Sequence, residues 1–148
     1  MIILQHSADE VHRTFLFTLF KGLCMSRPVH FEIFADDTQR AANFFNSVFG
    51  WQINSWGGGD SYLMCSTSAS EGDMGIDGAI AKRDENYAQP VINAINVDSV
   101  DEYCDKITAA GGTITVPKMA VPTMGWVAYF SDTEGNIHGL WQTDPNAA

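Results

Sequence analysis

One arrangement occurs twice along these 148 residues and restricts the fold more than any single motif does. Val29–Ala35 (VHFEIFA) is rich in β-branched and aromatic side chains and reads as a strand. Asp36, Asp37 and Thr38 then offer side-chain oxygens to the free N–H groups of a helix start. The helix is predicted from about Thr38 to Phe49, with Ala41, Phe44, Phe45 and Val48 as its buried stripe and Gly50 as its stop. Trp51–Trp56, the turn Gly57–Asp60, Ser61–Ser66 and Asp77–Ala81 supply three short strands. Past a polar linker, the same order returns. Val91–Val97 is a strand, and Asp98 or Ser99 caps a helix that carries Val100, Tyr103, Cys104 and Ile107 and ends at Gly111 and Gly112. Thr113–Val116, Gly125–Ser131 and Ile137–Gln142 follow as strands, the last two joined by the turn Asp132–Asn136. A period of about 60 residues is too long for an ordinary solenoid unit and fits two copies of one βαβββ module, each with a sheet face to bury. The expected class is α+β, with modules at 28–82 and 90–143 inside one domain, 25–148.

Alternation along the first strand puts His30, Glu32 and Phe34 on one face and Val29, Phe31, Ile33 and Ala35 on the other. The second face is wholly apolar and should pack on helices; the mixed first face suits the wall of a cavity. Residues 1–24 read as an extension outside this pattern, with a short helix from Asp9 to about Lys21. Its run Phe15–Phe20 (FLFTLF) is far short of the ~20 residues a membrane span needs, and it lacks the basic flank of a secretory signal.

Composition narrows the function classes. Hydrophobic residues make up 45% of the chain and charged residues 18%, enough apolar material for a core. The net charge of −10 repels phosphate backbones, which argues against nucleic acid, and is compatible with a cationic ligand. Cys24, Cys65 and Cys104 are odd in number and lack CxxC spacing, so reduced core packing and a cytoplasmic location are expected. No GxSxG, HExxH or phosphate-binding glycine loop occurs; Gly57–Gly59 precedes a strand and serves a turn.

The strings VHFEIFADD, QRAANFFNSVFGW, GIDGAI and PKMAVPTMGWVAYFSDTEGNIHGLWQ resemble the vicinal oxygen chelate superfamily, in the branch of glyoxalase, bleomycin-resistance and dioxygenase-like proteins. The resemblance runs from Pro28 to Gln142 and implies two modules whose sheets curve into a cup around the ligand or metal site. Metal-using members converge four side chains on one divalent ion. The corresponding positions here are His30, Asp77 or Gly78, Ile92, and Gly139, where such relatives usually carry glutamate. One imidazole does not make a site for a divalent ion, which needs three or four ligands, so no cofactor is expected. The alternative is a divalent ion such as Zn, Ni, Fe or Mn on a non-standard set of His30, Glu32 and His138. That set requires a bulge, because alternation turns His138 away from Gly139.

Within the cup, His30, Glu32, Phe34, Trp126, Phe130 and Trp141 are the candidate ligand-binding residues, suited to a flat or apolar small molecule. His30 and Glu32 are also the candidate general bases of a metal-free enzyme. Two functions follow from the resemblance: a metal-independent small-molecule binder of bleomycin-resistance type, or a divalent-metal enzyme resembling lactoylglutathione lyases or dioxygenases. A homodimer is the expected assembly.

Overall fold

A strand followed by a capped helix starts each half, and in the computed structural model both starts lie where the residue types put them. The structure describes residues 25–148 except 71 and 85–88, so the expected N-terminal helix and the FLFTLF run lie outside the described residues. Strand β1 (Pro28–Ala35) leads into helix α1 (Thr38–Phe49), whose first turn is closed by Asp37 Oδ1 accepting from the Arg40 N–H at 2.8 Å. Gly50 ends α1 in the left-handed region at φ 72°, which a side chain would resist. Strands β2 (Gln52–Ser55), β3 (Tyr62–Ser66) and β4 (Asp77–Lys82) complete the first module. The second repeats the order with β5 (Val91–Asn96), α2 (Val100–Ala109), β6 (Thr113–Val121), β7 (Gly125–Ser131) and β8 (Ile137–Thr143). Ser99 caps α2, its hydroxyl accepting from the Glu102 N–H.

All eight strands join one mixed sheet in the order β2-β3-β4-β1-β5-β8-β7-β6. Each module pairs its first and last strands in parallel, β1 with β4 and β5 with β8. The antiparallel pair β1–β5 fuses the modules. The class is thus α+β, two βαβββ modules with both helices on one face of the sheet. Ala42 of α1 packs with Leu63, Cys65 and Ile80 of the sheet; Val100 of α2 packs with Val97, Ala128, Phe130 and Leu140. A third cluster, Phe34, Ala81, Ile92 and Tyr129, occupies the opposite, concave face.

Two expectations are corrected. The buried side of α1 is Thr38 and Ala42, with Ala41 and Phe45 partly covered, whereas Phe44 and Val48 remain 55% and 56% exposed. Ala42 packs on the core and Phe45 stacks on Trp51, ring centroids 4.7 Å apart, which leaves Phe44 and Val48 on the outer side. Strand β6 does not stop at Val116 but continues through Pro117 to Val121. It is an edge strand whose pairing with β7 shifts on either side of Val116, so the N–H that Pro117 lacks has no ladder partner to serve.

The β7–β8 turn is held by one carboxylate. Asp132 Oδ1 accepts from the N–H groups of Glu134 and Asn136, both at 2.9 Å, and Oδ2 accepts from Asn136 Nδ2 at 3.0 Å. These bonds, those of Asn136 foremost, hold the Asp132 carboxyl down at about 2 instead of 3.8. A group depressed on folding stabilises the fold above its unfolded pKa and loses that contribution as pH falls towards its folded value. Asp132→Ala should therefore lower the melting temperature at neutral pH. The gap to the natural chain should close as pH is taken from about 5 to about 2; a gap that stays constant over that range would refute the assignment.

Candidate functional site

On the concave face, between the modules, lies a cavity of about 690 Å³. Its polar floor comes from three strands. β1 presents His30 and Glu32 on adjacent same-face positions, β3 presents Tyr62, and β7, from the other module, presents Tyr129. Glu32 is the buried carboxylate at the centre, 9% exposed. The Tyr62 hydroxyl donates to its Oε1 at 3.1 Å and the Tyr129 hydroxyl to its Oε2 at 2.9 Å. Each module thus contributes one phenol to one carboxylate. His30 Nε2 lies 3.2 Å from the Tyr62 hydroxyl oxygen. Because that phenol gives its single hydrogen to Glu32, the bond from His30 is satisfied when Nε2 carries the proton and donates. Burial pulls the His30 imidazole below its usual 6.5, against the opposing pull of Glu32 and Asp77.

The walls are largely apolar or aromatic. Trp56 and Trp141 face the cavity with Met64, Val127 and Ala94, and Asn96 and Thr143 add polar groups away from Glu32. Asn96 and Trp141 are register partners across β5–β8, which brings them side by side. Val29 also reaches the wall although simple alternation assigns it to the helix side. The β1–β5 register shifts between Pro28 and His30, and the irregularity changes the facing of the strand's first residues.

Of the six residues named from sequence, His30, Glu32 and Trp141 line the cavity. Phe34 is on the same face but packs with Ala81, Ile92 and Tyr129 beyond the cavity wall. Trp126 and Phe130 do not face the cup: Phe130 is in the core under α2, and Trp126 packs against that core. Both faces of β7 are apolar, so alternation groups Trp126 with Phe130 and Val127 with Tyr129 without saying which pair faces the helix. Trp56, Tyr62 and Tyr129 belong to the aromatics of the predicted strands, some of which are expected to line the cup, and all three do so; Asn96 carried no such mark. The usable signal was Gly139: it lies opposite Tyr129 across β7–β8, and a position without a side chain leaves room for the neighbouring ring.

The residues do not fit the family's divalent ion. Ile92 and Gly139 carry no donor, and Glu32 already accepts a phenol on each oxygen. Asp77 is level with His30 across β1–β4, but its Oδ1 accepts from the Thr67 N–H at 2.8 Å. His138 lies on the helix side, against Phe130 and 3.4 Å from Asp132, in unbroken register with β7. The combination of His30, Glu32 and His138 is therefore not brought together. Among the described residues, no three His, Cys, Asp or Glu side chains converge on one point.

Comparisons with known proteins agree with this architecture. Residues 27–138 match the family described as Glyoxalase/Bleomycin resistance protein/Dioxygenase superfamily. A glyoxylase-like domain-containing protein of Didymella fabae is 30% identical over 112 residues, covering 74% of this chain and 88% of that one. The anthracycline biosynthesis protein DnrV of Streptomyces peucetius is 22% identical over 127 residues; the match takes 78% of this chain but only 46% of DnrV. Among solved structures, a methylmalonyl-CoA epimerase of Streptomyces coelicolor superposes with a TM-score of 0.61 at 13% identity, covering 84% of this chain and 99% of that one. A superfamily member from Vibrio splendidus gives 0.56 at 15% identity, covering 80% and 99%. Those two likenesses concern the fold alone, while the family match spans most of the sequence: the chain belongs to the Glyoxalase/Bleomycin resistance protein/Dioxygenase superfamily.

Proposed function

We propose that the protein binds a small organic molecule in the cup between its modules and does so without a divalent metal. The observation that carries this reading is the cavity itself: about 690 Å³, walled largely by tryptophan, methionine and aliphatic side chains, with His30, Glu32, Tyr62 and Tyr129 as a linked polar floor and Asn96 and Thr143 as further polar groups. That is the composition of a small-molecule site, in which apolar walls supply affinity and a few fixed polar groups supply orientation. The floor is preorganised, since Tyr62 and Tyr129 hold both oxygens of Glu32 before any ligand arrives. The missing donors at Ile92 and Gly139 do not hinder a binder, whereas a lyase or dioxygenase using a metal as Lewis acid would require them. A homodimer in the cytoplasm belongs to the same reading. The exposed Phe44, Val48 and Phe49 on α1 give it an apolar surface for a second copy.

Calorimetric titration with neutral naphthol tests the cup. Saturable binding is expected, weakened at least about tenfold in Val29→Trp, whose indole would fill the space. Binding that ignores Val29→Trp would place the probe elsewhere and remove the reading. Elemental analysis of protein purified without a histidine tag tests the other half: near-stoichiometric Zn, Ni, Fe or Mn, lost in His30→Ala, would replace the binder with a metal enzyme.

A further inference from the structure

The carboxylate on the cavity floor has no cationic counterpart among the described residues that line the cavity. Among the described lining residues Glu32 is the one carboxylate, and no lysine or arginine accompanies it. The ion pairs among the described residues lie elsewhere: Arg40 with Asp37, Arg83 with Asp36, Lys106 with Glu102, and Lys118 with Asp101. The two groups that bond Glu32 are phenols, which orient a carboxylate but leave its charge in place.

This imbalance matters once a ligand enters. An apolar body filling the cup displaces the water that reaches the exposed edge of Glu32. A desolvated carboxylate then needs either further donors or an opposite charge. A neutral ligand supplies only a donor. A protonated amine supplies both, and its charge also gains from the faces of nearby aromatic rings, of which the cavity offers Trp56, Tyr62, Tyr129 and Trp141. The net charge of −10 adds a long-range attraction of the same sign.

We infer that the cup selects a monocationic ligand: a protonated amine on a flat or apolar body, its N–H groups donating to the Glu32 carboxylate while Trp56 and Trp141 cover the body. The inference rests on the cup being the binding site, and it narrows that reading to a ligand class.

Titrations of the full chain with three probes of one shape test it: naphthylmethylamine, which is cationic at neutral pH, neutral naphthylmethanol, and anionic naphthoate. The amine should bind at least roughly tenfold tighter than the alcohol, with naphthoate weakest. In Glu32→Gln, which keeps an acceptor for one phenol but removes the charge, the amine-to-alcohol ratio should fall to about one. The ratio is internal to each protein, so a general loss of affinity does not mimic it. Should Glu32→Gln not fold, the ranking of the three probes on the natural chain still decides. An alcohol that binds as tightly as the amine, or a preference that survives Glu32→Gln, overturns the inference. Alcohol binding without amine preference would leave the cup standing as the site, and binding by none of the three would remove the cup reading together with this one.

Discussion

Gly125→Ala should lower the unfolding free energy by about 3 kcal/mol, the upper part of the range for overpacking a rigid site. A Cβ at this position would lie 2.2 Å from the backbone carbonyl oxygen of Gln142 and 2.8 Å from the Trp141 ring. The ring could give way, but the carbonyl belongs to β8 at the first rungs of its ladder with β7, where Gly125 faces Thr143 and Trp126 faces Gln142. Moving it strains those rungs, and moving Trp141 displaces a wall of the cavity. Gly59→Ala is the control, since a Cβ there meets nothing within 4 Å and should change stability little. Urea denaturation reads both, as a lowered midpoint at unchanged slope for the first. A loss below about 1 kcal/mol for Gly125→Ala would mean that β7 and β8 are not packed as closely as described.

The position of Gly125 shows what a sequence can and cannot carry. It is the first residue of the predicted strand Gly125–Ser131, and nothing near it in sequence marks its constraint, which is a carbonyl seventeen positions later, brought near by pairing. The same division runs through the whole chain. Caps, helix stops and the module order were legible because each depends on residues within a few positions of one another: Asp37 on Arg40, Ser99 on Glu102, Gly50 on the end of α1. His30 and Glu32 were legible as a pair because β1 has one polar and one apolar face. β7 has two apolar faces, so Trp126 and Phe130 were assigned to the cup and Tyr129 was not. Tyr62 and Tyr129 are thirty and ninety-seven positions from Glu32, and nothing local marks them as its partners. Their role comes from strand order alone, which places one phenol from each module over a single carboxylate.

That construction also explains why the polar floor tolerates burial. No buried side-chain polar atom among the described residues lacks a hydrogen-bond partner. A carboxylate in a half-apolar cup would ordinarily be a liability, and the two phenols turn it into a fixed acceptor whose open edge faces the cavity. The site therefore depends on the modules holding their relative position. If β3 and β7 moved apart, Glu32 would lose one of its two anchors, and the cavity would lose its floor before it lost its walls.

The second large effect tests whether the modules act as one body. Ile80 on β4 is fully buried beneath α1, and Leu140 on β8 is 1% exposed beneath α2. Truncating either to alanine removes buried carbon and leaves a cavity, and should cost about 3 kcal/mol within a range of about 2–5. The two sites lie in separate clusters on either side of the β1–β5 junction, so their losses should add in the double variant. Despite belonging to different modules, both should lower the same single transition, because the antiparallel β1–β5 pair continues the sheet without a break and the Glu32 network ties the modules again on the concave face. Far-ultraviolet circular dichroism and tryptophan fluorescence should give coincident unfolding curves for the natural chain, Ile80→Ala and Leu140→Ala. Two separated transitions in Ile80→Ala, with the second at the natural midpoint, would show that module two stands without module one. A cup floored by residues from both would then be assembled only while the two happen to be docked.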